Sequence, residues 1–470
     1  MQTFNVMLLI HFRRISRLKD RDMNRKKFYL VSLGCAKNTV DSESMASLLQ
    51  VAGFSATEKA SEAGLLIVNT CGFIGPAREE SFEVLNELAS RKKRGQMLIA
   101  AGCLTQRYGQ MVIEKVPGID GIIGTRRWMD IVDLVQQLNG RQRTEQGYPA
   151  PVYHIPDAPT VGSDEKGVLR VARQGGSAYI KIADGCRRPC AFCAIPLIKG
   201  TAVSRPPDAI IAEARALAKN GVQEALLIAQ DTTDYGHDLG IKDGLAHLLE
   251  RMTDEVPDLP WIRVLYAYPG YVTDRLMQVM AEKPQIVPYL DMPLQHAHPM
   301  TLRRMRRPAN MEWVYNTLGK IRSTIPNVAL RTTFIVGYPG ETEEEFQALM
   351  DFVQEIKFDH VGVFTFSFEP GTTSEPLGDP IPQEVKEERL QRLVTVQEQI
   401  SLARNQSFVG QVQQVLVEGS NDGISVGRAY HDAPEIDGMV FIEGEAEVGS
   451  LATVQITGAM VHDLTGRLVI

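Results

Sequence analysis

From Lys27 onward, short apolar runs alternate with longer segments in which apolar residues recur every three or four positions. KFYLVSLGC, GLLIVNTC and QMLIAAGC read as strands, while DSESMASLLQVAGF, REESFEVLNELASRKKRG and LTQRYGQMVIEKV read as helices. Strands alternating with helices predict a parallel sheet covered by helices on its faces. In such a sheet ligands gather at the carboxyl ends of the strands. The three strand phrases end on Cys35, Cys71 and Cys103. Residues far apart in the chain are therefore expected to meet at one sheet edge.

The pattern changes twice more. The segment RQRTEQGYPAPVYHIPDAPTVGSDEKG is rich in Pro, Gly and polar residues and reads as a linker over 141–171. A second alternating series follows, with strands expected at SAYIKIADG, EALLIAQD, WIRVLYAYP, YLDMPLQH, TTFIVGYPG and VGVFTFSFEP. Six units of this kind predict a partial (β/α) barrel over 172–402. EVKEERLQRLVTVQEQISLARNQSFVG reads as a long amphipathic helix. After it, short strands broken by Gly and Asp predict a small antiparallel β-barrel over 403–470. The fold class is thus α/β multidomain, opening with a parallel-sheet α/β domain over 27–140. Residues 1–26 read as a disordered leader: the apolar run FNVMLLI lacks the flanks of a signal peptide, and Met23 is a second candidate start.

Composition changes this picture little. Of the 470 residues, 44% are hydrophobic and 23% charged, ordinary values for a globular protein. A net charge of −7 implies no global attraction to nucleic acid or to an anionic membrane. No stretch reaches the length of a membrane span, so no membrane partner is expected. Six cysteines in a long chain without a secretory signal point to thiol ligands in a reducing cytoplasm, where the protein is expected to work.

The cysteines carry the chemistry. Cys186, Cys190 and Cys193 lie in GCRRPCAFC, spaced C-x3-C-x2-C. A zinc site would want a fourth ligand, and the nearest histidines in sequence, His154 and His237, are not at zinc-finger spacing. A 4Fe-4S cluster with one open iron fits three thiolates better. The phrase, with Phe192 before its last cysteine, resembles the motif of the radical S-adenosylmethionine (SAM) superfamily. That resemblance implies that SAM chelates the open iron and that a 5′-deoxyadenosyl radical forms there, which makes Cys186, Cys190 and Cys193 the catalytic set. The turn in FIVGYPGET, with Gly337, Pro339, Gly340 and Glu341, resembles a superfamily segment near SAM. Gln230 and Asp231, after another strand, are candidates to line the same pocket. An ordinary loop turn is the competing reading for each.

The dispersed triad, the barrel and the small β-barrel together resemble the methylthiotransferases over residues 27–470, the last piece resembling their TRAM domain. The resemblance implies two 4Fe-4S clusters, a sulfur-handling one on Cys35, Cys71 and Cys103 and a SAM-binding one on the central motif. It also implies an electron donor such as flavodoxin or ferredoxin. SLGCAKNTVDSE, QDTTDYG and CAIPLIKG resemble the branch that modifies a ribosomal protein (RimO-type) rather than the branch that modifies adenosine in tRNA. The implied reaction is methylthiolation of an aspartate β-carbon in small-subunit ribosomal protein S-12. RRP between Cys186 and Cys190 departs from the usual filling but leaves the ligand spacing intact. Charge speaks to the substrate independently. In residues 403–470, three arginines stand against nine carboxylates, whereas an RNA-binding module should be basic. The run LRRMRRP (Arg303, Arg304, Arg306, Arg307) is expected to be a solvated or salt-bridged surface, with nucleic-acid contact the alternative, ribosomal RNA serving as well as tRNA.

Overall fold

The computed structural model describes residues 26–140, 150–156 and 167–469. All but the last residue of the expected leader, and most of the expected linker, lie outside the described residues. The chain divides into two compact units. One holds the described residues up to Arg170 together with Leu197–Lys199, and the other holds Val171–Pro196 and the chain from Gly200.

In the first unit six strands form one parallel sheet: β1 (Lys27–Ser32), β2 (Ser55–Ala56), β3 (Leu65–Thr70), β4 (Met97–Gly102), β5 (Gly121–Gly124) and β6 (Val152–His154), in the order β2-β1-β3-β4-β5-β6. Every residue of β3 is buried, as expected of a parallel strand covered on both faces. Its alternate side chains feed two cores. Leu65 and Ile67 join Phe28, Ile99 and Trp128, while Leu66 and Val68 join Leu85, Leu98 and Val112. β6 corrects the expected linker, because Val152, Tyr153 and His154 pair with Gly121, Ile122 and Ile123. Three residues between prolines are too few for an alternation to register. An edge strand also tolerates proline neighbours because it pairs on one side only.

The second unit contains β7 (Val171–Gln174), β8 (Ser177–Lys181), the short pair β9 (Ala183–Asp184) and β10 (Val203–Ser204), β11 (Glu224–Ile228), β12 (Trp261–Val264), β13 (Ile286–Asp291), β14 (Ala329–Val336) and β15 (His360–Thr365). The six expected segments supply β8 with β9 and then β11 to β15, while β7 and β10 are additions to the expected series. The main sheet runs β15-β14-β13-β12-β11-β8-β7, with β7 antiparallel to β8 and all other neighbours parallel. β16 (Val412–Asn421), β17 (Ile424–Ala429), β18 (Val440–Glu443), β19 (Leu451–Ala459) and β20 (Leu464–Leu468) close the small barrel in the order β16-β17-β18-β20-β19. One of its pairs, β18–β20, is parallel. Five strands in a ring cannot alternate in direction throughout, so closure forces one such pair.

The helix Gln383–Gln406 is present, but its buried stripe is not apolar. It buries Lys386, Arg389, Leu393, Gln397, Ser401 and Asn405. Most of these are held by a bond: Lys386 to Asp379, Arg389 to Glu341, Gln397 to the Phe358 carbonyl and Asn405 to the Met460 carbonyl. The helical period was legible, whereas the chemistry of the buried face depends on partners that a single helix does not reveal.

A buried ionic network joins the partial barrel to the small one. Glu224, at the first residue of β11, accepts from Arg263 Nε at 2.6 Å, Arg428 Nη2 at 2.7 Å and Ser177 Oγ at 2.9 Å. Arg263 also donates to the Tyr430 carbonyl, and Arg331 bridges Asp291 and Asp437. Burial pushes the Glu224 carboxyl up, but Arg263 and Arg428 outweigh it and hold its pKa at about 2. Its contribution to stability is therefore present above the ordinary carboxylate range and is lost as pH falls toward that value. Replacing one partner of such a pair leaves an uncompensated buried charge. Glu224→Gln is expected to cost about 3–5 kcal/mol, read as a fall in the denaturant midpoint. A midpoint equal to that of the unaltered chain would contradict the network's role.

Candidate functional site

Each cysteine of the dispersed triad follows a strand. After β1, Gly34 turns the chain at φ +89° and Cys35 caps the helix Ala36–Val51. After β3 comes Cys71, followed by the helix Gly75–Arg91. After β4, Gly102 sits at φ +101° and Cys103 opens the helix Cys103–Lys115. β1, β3 and β4 are neighbours in the sheet, so the three turns share one edge. The packing is close. A Cβ on Gly34 would lie 2.8 Å from Cys71 Cβ, and one on Gly72 would lie 2.9 Å from the Cys103 carbonyl carbon. The three thiols influence one another electrostatically. Burial pushes the Cys71 thiol up and the Cys103 thiol to about 12, with Cys35 raising both further and Lys199 opposing the rise at Cys103.

Polar residues in the cysteine phrases and in the helix that follows Cys71 fix this edge, and the sequence alone does not single them out. Asn38 Nδ2 donates to the carbonyls of Leu33 at 2.8 Å and Thr70 at 3.1 Å. Asn69 Nδ2 donates to the Asn38 carbonyl and to Ser42 Oγ, both at 2.9 Å. Ser81 Oγ accepts from the Cys71 amide and donates to its carbonyl. All three side chains are buried, and together they tie the ends of β1 and β3 to the flanking helices. Asn in SLGCAKN and in NTC was the available signal. Its meaning depends on strand adjacency, which local sequence does not show.

The compact triad lies on the loop after β8 and β9. Gly185 sits at φ +77°, and a Cβ there would meet the Thr201 carbonyl oxygen at 2.1 Å, so the turn requires glycine. Backbone bonds hold the loop: the Cys186 amide to the Gly200 carbonyl, the Cys193 amide to the Cys190 carbonyl, and the Ala191 amide to the Met305 carbonyl. Phe192 packs against Met305, Tyr338 and Phe366. Tyr338 belongs to the FIVGYPGET turn, so the cysteine loop and that turn share a small apolar cluster. Burial raises the Cys186 thiol to about 11 and the Cys193 thiol to about 12.

The other expected residues separate. Gly337 and Gly340 adopt left-handed φ of +72° and +80° at the end of β14, as the turn reading requires. Pro339 lies between them. Glu341 accepts from the Tyr338 amide and from Arg389; burial raises it to about 7 against the pull of Arg389. Gln230 follows β11 as expected. Asp231 follows Gln230 at the same strand end, and its carboxylate is engaged within the protein. It is buried and accepts from Arg188 Nε at 2.5 Å and from Thr233. The unusual RRP filling supplies the partners: Arg187 binds Asp234 through both carboxylate oxygens, while Arg188 reaches Asp231 and Asp234. The basic run LRRMRRP also divides. Arg303 and Arg306 are exposed, Arg304 is paired with Glu345, and Arg307 is buried beside Cys190.

Three free, half-buried thiols within electrostatic reach of one another, held by backbone bonds and backed by Arg188 and Arg307, fit a cysteinate-bound iron–sulfur cluster. Three family models match the chain. Residues 27–124 match an uncharacterized protein family (UPF0004), 180–353 the radical SAM superfamily, and 409–469 the TRAM domain. A radical SAM methyltransferase from Kitasatospora setae, solved with cobalamin and a 4Fe-4S cluster, shares the fold at TM-score 0.56 and 16% identity, over 75% of this chain and 74% of its own. The chain is a radical SAM enzyme, a class that works with SAM and a 4Fe-4S cluster. The ribosomal protein uS12 methylthiotransferase RimO of Chloroflexus aurantiacus is 47% identical, over 94% of this chain and 99% of its own length. That of a Roseiflexus species is 45% identical, over 94% and 97%. The chain belongs to the RimO family of methylthiotransferases.

Gly34→Ala tests the packing of the dispersed triad. A strained φ and a Cβ contact of 2.8 Å are both imposed, at a cost of about 1–3 kcal/mol. Hydrogen exchange is expected to speed up in β1 and β3 and to stay unchanged in β11 and β12. Unchanged exchange throughout would contradict the close packing.

Proposed function

We propose that this enzyme methylthiolates the β-carbon of an aspartate in small-subunit ribosomal protein uS12 (S-12), giving 3-methylthioaspartate, in the cytoplasm where ribosomes are made. Cys186, Cys190 and Cys193 hold the 4Fe-4S cluster that binds SAM. Cys35, Cys71 and Cys103 hold a second 4Fe-4S cluster that handles sulfur. Bound at the central site, SAM and the cluster supply a radical able to take hydrogen from an unactivated carbon, a task beyond any acid–base side chain. Buried thiols with raised pKa values are protonated when free and give up their protons on binding iron. The turn at Gly337, Pro339 and Gly340, joined to the cysteine loop through Tyr338 and Phe192, lets backbone approach SAM, and Gln230 lines the same pocket. Asp231 serves that pocket indirectly, by fixing Arg188. A one-electron donor such as flavodoxin or ferredoxin supplies the reducing equivalent.

The observation that carries the choice of substrate is the charge on the exterior of the small barrel. Asp422, Glu435, Glu443, Glu445 and Glu447 are exposed. Of the three arginines in residues 403–470, Arg404 pairs with Asp359 and Arg428 is buried against Glu224 and Glu418, while Arg467 is exposed. Asp432 is buried, and the Asp437 side chain is 1% exposed and paired with Arg331, so neither carboxylate faces outward. The outward face is therefore acidic. It repels a phosphate backbone and suits a basic protein of the kind that itself binds RNA.

Mass spectrometry of uS12 and of tRNA, after incubation with anaerobically reconstituted enzyme, tests the proposal. A mass gain matching replacement of H by SCH3 is expected on uS12 alone. The same gain on tRNA alone would transfer the enzyme to the other branch. Cys193→Ala is expected to abolish SAM cleavage, and Cys103→Ala to preserve cleavage while stopping methylthiolation. A Cys103→Ala enzyme that still methylthiolates uS12 would overturn the division of labour.

A further inference from the structure

Arg307 is the last arginine of a basic run, yet it is only 8% exposed. The helix Pro299–Arg304 ends in a Schellman turn. Arg306 adopts φ +55°, its amide bonds the Arg303 carbonyl, and the Arg307 amide bonds the Leu302 carbonyl at 2.8 Å. Glycine usually fills the left-handed position of such a turn. A bulky residue there is uncommon, and the turn sends the next side chain inward. Met305, in the same turn, accepts from the Ala191 amide of the cysteine loop at 2.9 Å. The helix end and the loop are thus held together by backbone.

The inward guanidinium reaches three groups. Nη1 donates to Cys190 Sγ at 3.5 Å, Nη2 donates to the Pro293 carbonyl, and the guanidinium carbon lies 4.2 Å from the centre of the Tyr268 ring. The Tyr268 hydroxyl lies 4.0 Å from Cys190 Sγ. Arg188 lies 4.7 Å from the same ring centre, but its charge is matched by Asp231 and Asp234. Among the described residues no carboxylate pairs with Arg307, and its Nε, also buried, has no hydrogen-bond partner. A buried cation without a counter-charge is costly. The negative group within its reach is the cysteinate site.

We propose that Arg307 sets the reduction potential of the cluster held by Cys186, Cys190 and Cys193, an inference that rests on the cluster assignment made above. Reduction adds one electron from a one-electron donor and makes the site one unit more negative. A fixed positive charge at a ligand sulfur, in a buried setting, favours that state. Arg307 is a positioning residue: it acts on the cluster through Cys190.

The test is a redox titration followed by EPR, on the full chain carrying Cys35→Ala, Cys71→Ala and Cys103→Ala so that only the central site is read. Arg307→Met is expected to lower the equilibrium constant for reduction at least tenfold, about 59 mV for one electron, at unchanged iron content. Arg307→Lys, which keeps the charge, should recover most of that shift. Arg303→Met, on the exposed side of the same helix, should match the parent. A loaded Arg307→Met chain with the parent's potential overturns the proposal. Should the Met variant hold no iron, the Lys variant decides, a loaded chain at the parent's potential supporting the proposal and one shifted tenfold overturning it. Loss of iron in both variants also overturns it, since Arg307 would then build the site rather than tune it. A parent chain without a cluster would instead sink the assignment of the three cysteines.

Discussion

Parallel pairing of neighbouring strands is the constraint on which the rest depends. In a parallel sheet with helical crossovers all strands end on the same side, so residues after β1, β3 and β4 share one edge although successive ones lie 32 to 36 positions apart in the chain. The same rule places the loop after β8, Gln230 after β11 and the Gly337 turn after β14 at one end of a second sheet. One rule of backbone geometry thus builds both cysteine sites. The means differ: the first sets one thiol on each of three strand ends, whereas the second sets all three on one loop.

The surroundings of the two triads follow from that difference. Three separate turns must be held side by side: buried Asn38, Asn69 and Ser81 fix the first two through backbone carbonyls and amides, and Asn38 Oδ1 lies 3.9 Å from Cys103 Sγ in the third. A single loop already has its thiols together. Its neighbours instead supply charge, Arg188 balanced by Asp231 and Asp234, and Arg307 left facing sulfur. Away from both triads, Glu224, Arg263 and Arg428 bind the small barrel to the partial one, which keeps its acidic exterior part of the same compact unit.

Much of this was legible in the amino-acid sequence. Strand and helix periods placed the sheet segments, and C-x3-C-x2-C marked the compact site. Legibility failed wherever a residue's role depends on a partner distant in the chain. β6 is too short and too close to prolines to show a period. The helix Gln383–Gln406 has a helical rhythm, yet its buried positions are mostly polar, because Asp379, Glu341 and several carbonyls meet them. Asp231 stands beside Gln230 at a strand end, but its bond to Arg188 is not visible in the local phrase. Arg307 looked like surface because it is the fourth arginine of a basic run, and a left-handed turn at Arg306 puts it inside.

The central claim is that the two triads are separate cluster sites. The most direct measurement is the iron content and EPR spectrum of the anaerobically reconstituted chain, compared with the chain carrying Cys35→Ala, Cys71→Ala and Cys103→Ala. Two 4Fe-4S clusters predict about eight irons per chain, falling to about four, with the remaining signal still altered by SAM. An unchanged iron count, or a remaining signal insensitive to SAM, would contradict the account.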